Sequence, residues 1–378
     1  MGSSSIVDEL IQLALGTADF EDEERWAALR ELHAHGGPAV FDRASELVAS
    51  DDVRRRVLGA DLLSDLGRRS GTDERYPGKE VDRALRSRAV DLLLDLAHDP
   101  EAVVAAAAVR GLGQLEDQRG LPTVLDLADH PEAGVRAAVA WALPSLLPVV
   151  HEAARPRLGD DAKAVAVLVR LADDVDDDVR DWALFDLGTV LDVDTEEVRA
   201  LLAGHLDDPS EEARTEALLG LARRGDERAV PVVLDGLAAI EVERAMVEAA
   251  AHLGDDRFAR PLRRLEAWWF EDPELLRTAI VNCEPSARAR RETREELLRR
   301  SVLRELRRRD RSTDFSVAIL VAPLDFERLV HVAWSTPEGR SGQVWMSVAG
   351  LLARSDDDVV TAARTLAEEV RQAVERAN

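Results

Sequence analysis

Apolar positions recur at helical spacing along most of the chain, interrupted by a short polar punctuation that repeats. One or two acidic residues or an Asp-Pro pair come first, then a Val-Arg pair or a near match, then an alanine- and leucine-rich stretch ending near Leu-Gly. Copies run from Asp51-Asp52-Val53-Arg54 to Leu66-Gly67, from Asp99-Pro100 to Leu112-Gly113 and from His130-Pro131 to Leu143-Pro144. Others run from Asp177-Asp178-Val179-Arg180 to Leu187-Gly188, from Asp208-Pro209 to Leu219-Gly220 and, in degenerate form, from Glu241 to Leu253-Gly254. Between the stops the apolar residues, such as Val135, Ala138, Val139, Ala142 and Leu143, share one helical face. Each mark has a physical role: Asp caps the free N–H groups of a first turn, Pro loses nothing at the first helical position, and Gly closes a helix in the left-handed conformation.

A second helix is predicted after most of the first ones, over 121–128, 162–171, 196–206 and 229–238. Motif starts roughly 30 to 50 residues apart bracket a two-helix repeat. Turn-forming pairs in Arg68–Lys79 and prolines bounding Val149–Asp160 mark two longer loops. The stretches Val179–Gly188 and Ala217–Asp226 look very like bacterial HEAT repeats of the lyase-like subclass, also found in phycobilin lyases. The resemblance covers residues 20–283 and implies an α-α superhelix, a solenoid of helix pairs whose second helices line a concave side. It implies no chemistry of its own.

From Pro285 the pattern changes. Eleven arginines between Arg288 and Arg311 crowd one predicted helix, read as a cap or connecting element and, as the alternative, a basic binding arm. Beyond Ser312 the period becomes two, with Phe315, Val317, Ile319 and Val321 alternating with smaller residues. Leu329–Trp334 and Val344–Val348 repeat the style, and turns at Pro323-Leu324-Asp325 and Thr336–Gly339 divide the runs. A three-strand meander covered by an amphipathic helix over 357–375 follows. The expected organisation is therefore a HEAT-like solenoid over 1–284, an Arg-rich helix over 285–311 and a small α+β tail over 312–378.

Composition supports the mainly-α reading, since aromatics are 4% where sheets would favour more. A net charge of -25 disfavours nucleic acid as a partner and favours a basic one. Cys283 is the single cysteine, so no internal disulfide is available, and a cytoplasmic protein without signal peptide or membrane span is expected.

Candidate chemistry is sparse. His33 and His35 lie two apart on a predicted helix and point to different faces, and His151-Glu152 is one lone pair, so no metal site is expected. Cys283 lacks a nearby base and reads as structural, and no cofactor fingerprint occurs. The paired carboxylates at 173–178 sit where caps belong, and Arg54, Arg136, Arg180 and Arg214 recur in register as an inter-repeat ladder with capping aspartates. Trp141 and Trp182 read as matching core positions. Trp268-Trp269-Phe270 is the densest aromatic cluster, a junction seal or a partner anchor.

These features point to a non-catalytic protein-binding scaffold or adaptor. Its candidate surface comprises Asp126, Glu197 and Asp235 on second helices, with Trp268 and Trp269, facing a basic or helical protein segment. The alternatives are an immunity or regulatory partner in a bacterial operon and, further off, a HEAT-type lyase or DNA-glycosylase-like enzyme.

Overall fold

The computed structural model describes residues 3–17, 22–35, 37–64, 83–147, 160–191, 193–310, 312–321, 328–336, 339–348 and 356–377. The loop expected over 68–79, most of that over 149–160, His151-Glu152 and the turn at 323–325 lie outside them. Contacts divide the chain into two units, 1–217 and 218–378.

The first unit opens with α1 (Ser3–Gly16), α2 (Glu23–His35) and α3 (Gly37–Val48). Helix pairs follow: α4 (Val53–Ser64) with α5 (Arg83–Leu96), α6 (Ala102–Leu115) with α7 (Leu121–Asp126), and α8 (Ala133–Leu146) with α9 (Asp160–Leu171). Next come α10 (Asp177–Phe185) with α11 (Glu196–Gly204), and then α12 (Glu211–Arg223), within which the unit boundary falls. The helices α4, α6, α8 and α12 start one to three residues after Asp52, Asp99, His130 and Asp208, whereas α10 starts on its mark, Asp177, one residue after its cap Asp176. Within this unit α4, α6, α8 and α10 pack in succession, each burying its alanine and leucine face. Asp176 and Thr195 cap α10 and α11, accepting the N–H groups of Val179 and Val198.

The closing glycines behave differently from expectation. Leu66-Gly67 lies outside the described residues, and among the described Leu-Gly pairs only Gly254 adopts a left-handed backbone, at φ 60°. Gly113 stays inside α6, which ends two residues later with Glu116 taking the left-handed role at φ 51°. A Cβ on Gly113 would lie 2.8 Å from the Cα of Ala142, so this glycine serves close approach of α6 and α8.

The second unit continues with α13 (Val230–Leu237), α14 (Arg244–Leu253), α15 (Ala259–Leu265) and α16 (Pro273–Cys283). In both units the turn into a second helix carries an Asp-x-Arg motif absent from the expected punctuation. Asp117, Asp226 and Asp255 each accept the backbone N–H two residues on, at 2.8–3.1 Å, and clamp that residue's guanidinium (Arg119, Arg228, Arg257).

The Arg-rich segment forms α17 (Pro285–Arg309), and it is more than a connector. Leu298, Val302 and Leu306 enter one core with the tail. Strands β1 (Asp314–Val321), β2 (Arg328–Ser335) and β3 (Ser341–Ser347) form an antiparallel meander in that order. Its inner face presents Phe315, Val317, Val330, Val332, Trp334 and Met346 to α17 and to α18 (Asp356–Ala377), which contributes Val359, Leu366 and Val370. A small sheet alone is marginal, and two helices on one face supply the missing burial.

Candidate functional site

The motif arginines are consumed by the repeat itself. Arg136 grips Asp174 of the next repeat with two bonds of 2.7 Å, while its third nitrogen donates to the carbonyls of His130 and Pro131. Arg180 repeats this with Asp208, at 3.0 and 2.8 Å, and donates to the Asp174 carbonyl at 2.9 Å. Arg214 donates to the Asp208 carbonyl at 2.6 Å. One aspartate thus binds the preceding arginine through its carboxylate and the following one through its carbonyl. Among the three arginines of α4 it is Arg56, not Arg54, that joins this ladder, pairing with Asp99 at 2.8 and 3.1 Å. Burial opposes ionisation of Asp208, yet bonds from Arg180, His205 and the Ser210 N–H outweigh it and hold the carboxyl far below the usual range. Arg136 likewise lowers Asp174.

The charges left outside the ladder lie elsewhere. Asp126 at the end of α7, Glu197 in the first turn of α11 and Asp235 on α13 are all exposed. None has an ion pair among the described residues. The aromatic cluster splits. Trp269 is 5% exposed and donates its indole N–H to the Val242 carbonyl at 3.0 Å, so it is a core residue and not surface. Trp268 and Phe270, on either side, are 47% and 73% exposed. Alternation along an irregular loop decides which ring faces inward, and composition alone carries no signal for it.

The remaining candidates are structural. Cys283 is fully buried, its thiol faces the Ala250 carbonyl at 3.3 Å, and burial pushes its pKa up to about 12, far from a thiolate nucleophile. His33 and His35 contact different backbone carbonyls, those of Asp61 and Glu31. No group of three or more His, Cys, Asp or Glu among the described residues is arranged to hold a metal ion. Among the described residues no helix is long and apolar enough to cross a membrane.

Two overlapping stretches, residues 90–188 and 165–251, match the HEAT repeats family. Residues 90–251 are therefore HEAT repeats. It is 26% identical to Protein YibA of Escherichia coli K12 over 276 residues, 72% of this chain and 89% of that one. The X-ray structure of YibA from Escherichia coli agrees in fold, with a TM-score of 0.55 at 24% identity, covering 74% of this chain and 92% of that chain. A chain of the Kap95:Nup1 complex shares the solenoid fold at a TM-score of 0.51 and 17% identity, over 78% of this chain and 42% of that chain.

Aligning the HEAT repeats on the ladder explains two departures. The arginine stands six residues after the aspartate, and where Ala105 replaces it, His130 replaces the aspartate that would have received it. His130 keeps the other duty, accepting the Glu132 N–H at 3.1 Å through its ring. Losing both partners leaves no buried lone charge. Trp141 and Trp182 are not matching positions, since they stand five and two residues after their arginines. Trp182 is accordingly partly exposed, edge-on to Phe185.

Asp186 is the second departure. The same HEAT position holds Leu62, Gly111, Ala142 and Gly220 elsewhere. Here a carboxyl is 3% exposed, one of its oxygens lacks a hydrogen-bond partner, and the helix widens to a π turn over Asp186–Val190. Burial, with nearby Glu216, pushes its pKa up to about 9, so it is neutral at pH 7.

Proposed function

We propose that this chain is a non-catalytic, cytoplasmic protein-binding scaffold whose second helices receive a basic or helical protein segment. The observation that carries the reading is how charge is distributed. The ladder uses Arg56, Arg136, Arg180 and Arg214 internally, while Asp126, Glu197 and Asp235 on second helices are exposed and have no ion pair among the described residues. In a chain of net charge -25, such carboxylates favour cationic partners and speed their encounter. The exposed ring of Trp268 supplies an apolar anchor of the kind that dominates interface energies.

Affinity capture from the native cells with wild type and with Asp126→Asn/Glu197→Gln/Asp235→Asn tests this. A partner retained by the wild type, released as salt rises and lost by the triple variant is expected. Equal capture by both forms would sink the charged-surface reading.

A further inference from the structure

The turns that lead from a second helix into the next first helix change character in the second unit. In the first unit they carry the ladder. Asp174 and Asp208 stand two residues before Asp176 and Ser210, which cap α10 and α12, and are largely covered by the arginines they hold. Two residues before the caps Glu243 and Asp272 stand Glu241, in the turn between α13 and α14, and Phe270, in the turn between α15 and α16. Six residues further on, where the arginine belongs, are Val247 and Leu276, both buried. With no guanidinium to receive, neither Glu241 nor Phe270 is held inward, and both are exposed.

An apolar ridge takes the ladder's place. The rings of Trp268 and Phe270 and, at 96% exposed, Ile240 stand out from these two turns. The turns are tied together from beneath, by the bond of buried Trp269 to the Val242 carbonyl and by Arg244, which reaches Asp272 at 3.4 Å. Glu241, Glu243 and Glu271 on the same turns are exposed and have no ion pair among the described residues. Large apolar side chains gathered in one place and rimmed by charge mark an interaction surface.

We propose that this ridge docks a cationic amphipathic helix of another protein, which adds to the charged surface of the second helices a demand for apolar side chains at helical spacing. The inference rests on the reading that the chain holds basic protein segments. Charge selects the occupant. An anionic lipid surface, or a second copy of net charge -25, is repelled by the three glutamates, whereas arginines or lysines flanking an apolar row are attracted. Spacing selects a helix. First helices α14 and α16 pack side by side, and packed helices lie about 8–10 Å apart, so the two turns offer anchors at that interval. Residues i and i+7 of a helix share one face about 10.5 Å apart. An apolar row at i, i+4 and i+7 therefore meets the ridge while neighbouring cations meet Glu241, Glu243 and Glu271.

The probe is a fluorescein-labelled peptide of about 18 residues, with leucines at i, i+4, i+7 and i+11 and arginines between them, titrated with the full chain and read by anisotropy. A scrambled peptide of the same composition isolates charge, and a version with glutamate for arginine isolates the apolar row. The first should bind with a Kd of about 1–100 µM, the scrambled one at least about tenfold more weakly and the glutamate version not at all. Trp268→Ser/Phe270→Ser should weaken binding at least about tenfold, and Asp126→Asn/Glu197→Gln should change it less than about threefold. Amide exchange on the unmodified chain, which needs no variant to fold, should slow across 239–243 and 266–272 when the peptide is added. No binding of the first peptide, equal binding of the scrambled one, a ridge variant that binds as before, or unchanged exchange in the two turns would each overturn the proposal. A loss confined to Asp126→Asn/Glu197→Gln would overturn the ridge and leave the second-helix reading standing. Self-association, or binding to phosphatidylglycerol vesicles, that the ridge variant abolishes would give the ridge to a second copy or to lipid and overturn the proposal as well.

Discussion

The repeats of the first unit and the module built from α17, the sheet and α18 solve the same problem by different means. In the repeats, neighbouring helices are alike, rich in alanine and leucine, and a helix pair could slide against a near copy at little cost. Directional bonds remove that freedom: Arg56, Arg136 and Arg180 each reach a particular carboxylate of the next repeat. Polar groups that fix register are the best-attested use of buried ion pairs. In the module every surface is unique. Its core is apolar, and several arginines of α17 pair along their own helix, Arg299 with Glu296 and Arg308 with Glu305. Side-chain shape suffices where nothing resembles its neighbour.

The contrast can be broken at Arg180, with the largest effect. Arg180→Met leaves Asp208 buried without its main partner and should cost about 3–5 kcal/mol in urea unfolding. A loss below about 1 kcal/mol would mean the ladder is decorative. Because the folded pKa values of Asp208 and Asp174 lie below their unfolded ones, their stabilisation is complete above about pH 4 and fades as pH falls further. Arg180→Met should flatten that acid limb.

In the module, Leu298→Ala should cost about 2–5 kcal/mol and speed amide exchange across β1–β3 and α18. Unchanged exchange there would detach α17 from the tail's core. Gly113→Ala, read by thermal melting, should lose about 1–3 kcal/mol by forcing α6 from α8. Asp186→Asn should raise the melting temperature above pH 7. Between about pH 4 and 9 the folded state keeps a proton that the unfolded state has shed, so wild-type stability falls as pH rises. An unaltered alkaline slope in the variant would remove Asp186 as its source. Smallest of all, Trp268→Ser/Phe270→Ser should change stability by less than about 0.5 kcal/mol, so a large loss would show these rings to be packed.

The helices were largely legible because their boundaries are written in local chemistry: a carboxylate, a proline, a run of alanines. The strands of the tail were legible for the same reason, since alternation of Phe315, Val317 and Ile319 needs no neighbour to be read. What required the third dimension was choice among equivalents. Three consecutive arginines, Arg54, Arg55 and Arg56, look alike until the six-residue distance from the punctuating residue selects the last. Gly113 and Gly254 both follow leucine, yet one admits a helix and the other ends one. Of the candidate surface, the three carboxylates were placed by their helices, whereas the orientation of Trp269 depended on the Val242 carbonyl, a contact 27 residues away.

The two-sided aspartate also has a consequence for how such an array changes length. Asp174 and Asp208 each join a carboxylate to the guanidinium before it and a carbonyl to the one after, so excising the complete unit between them rejoins matching halves. The neutral joint at Ala105 and His130 asks even less of whatever lies across it. Growth and shrinkage by whole repeats are therefore built into the chain as chemically silent edits, while any shift by part of a repeat strands a charge.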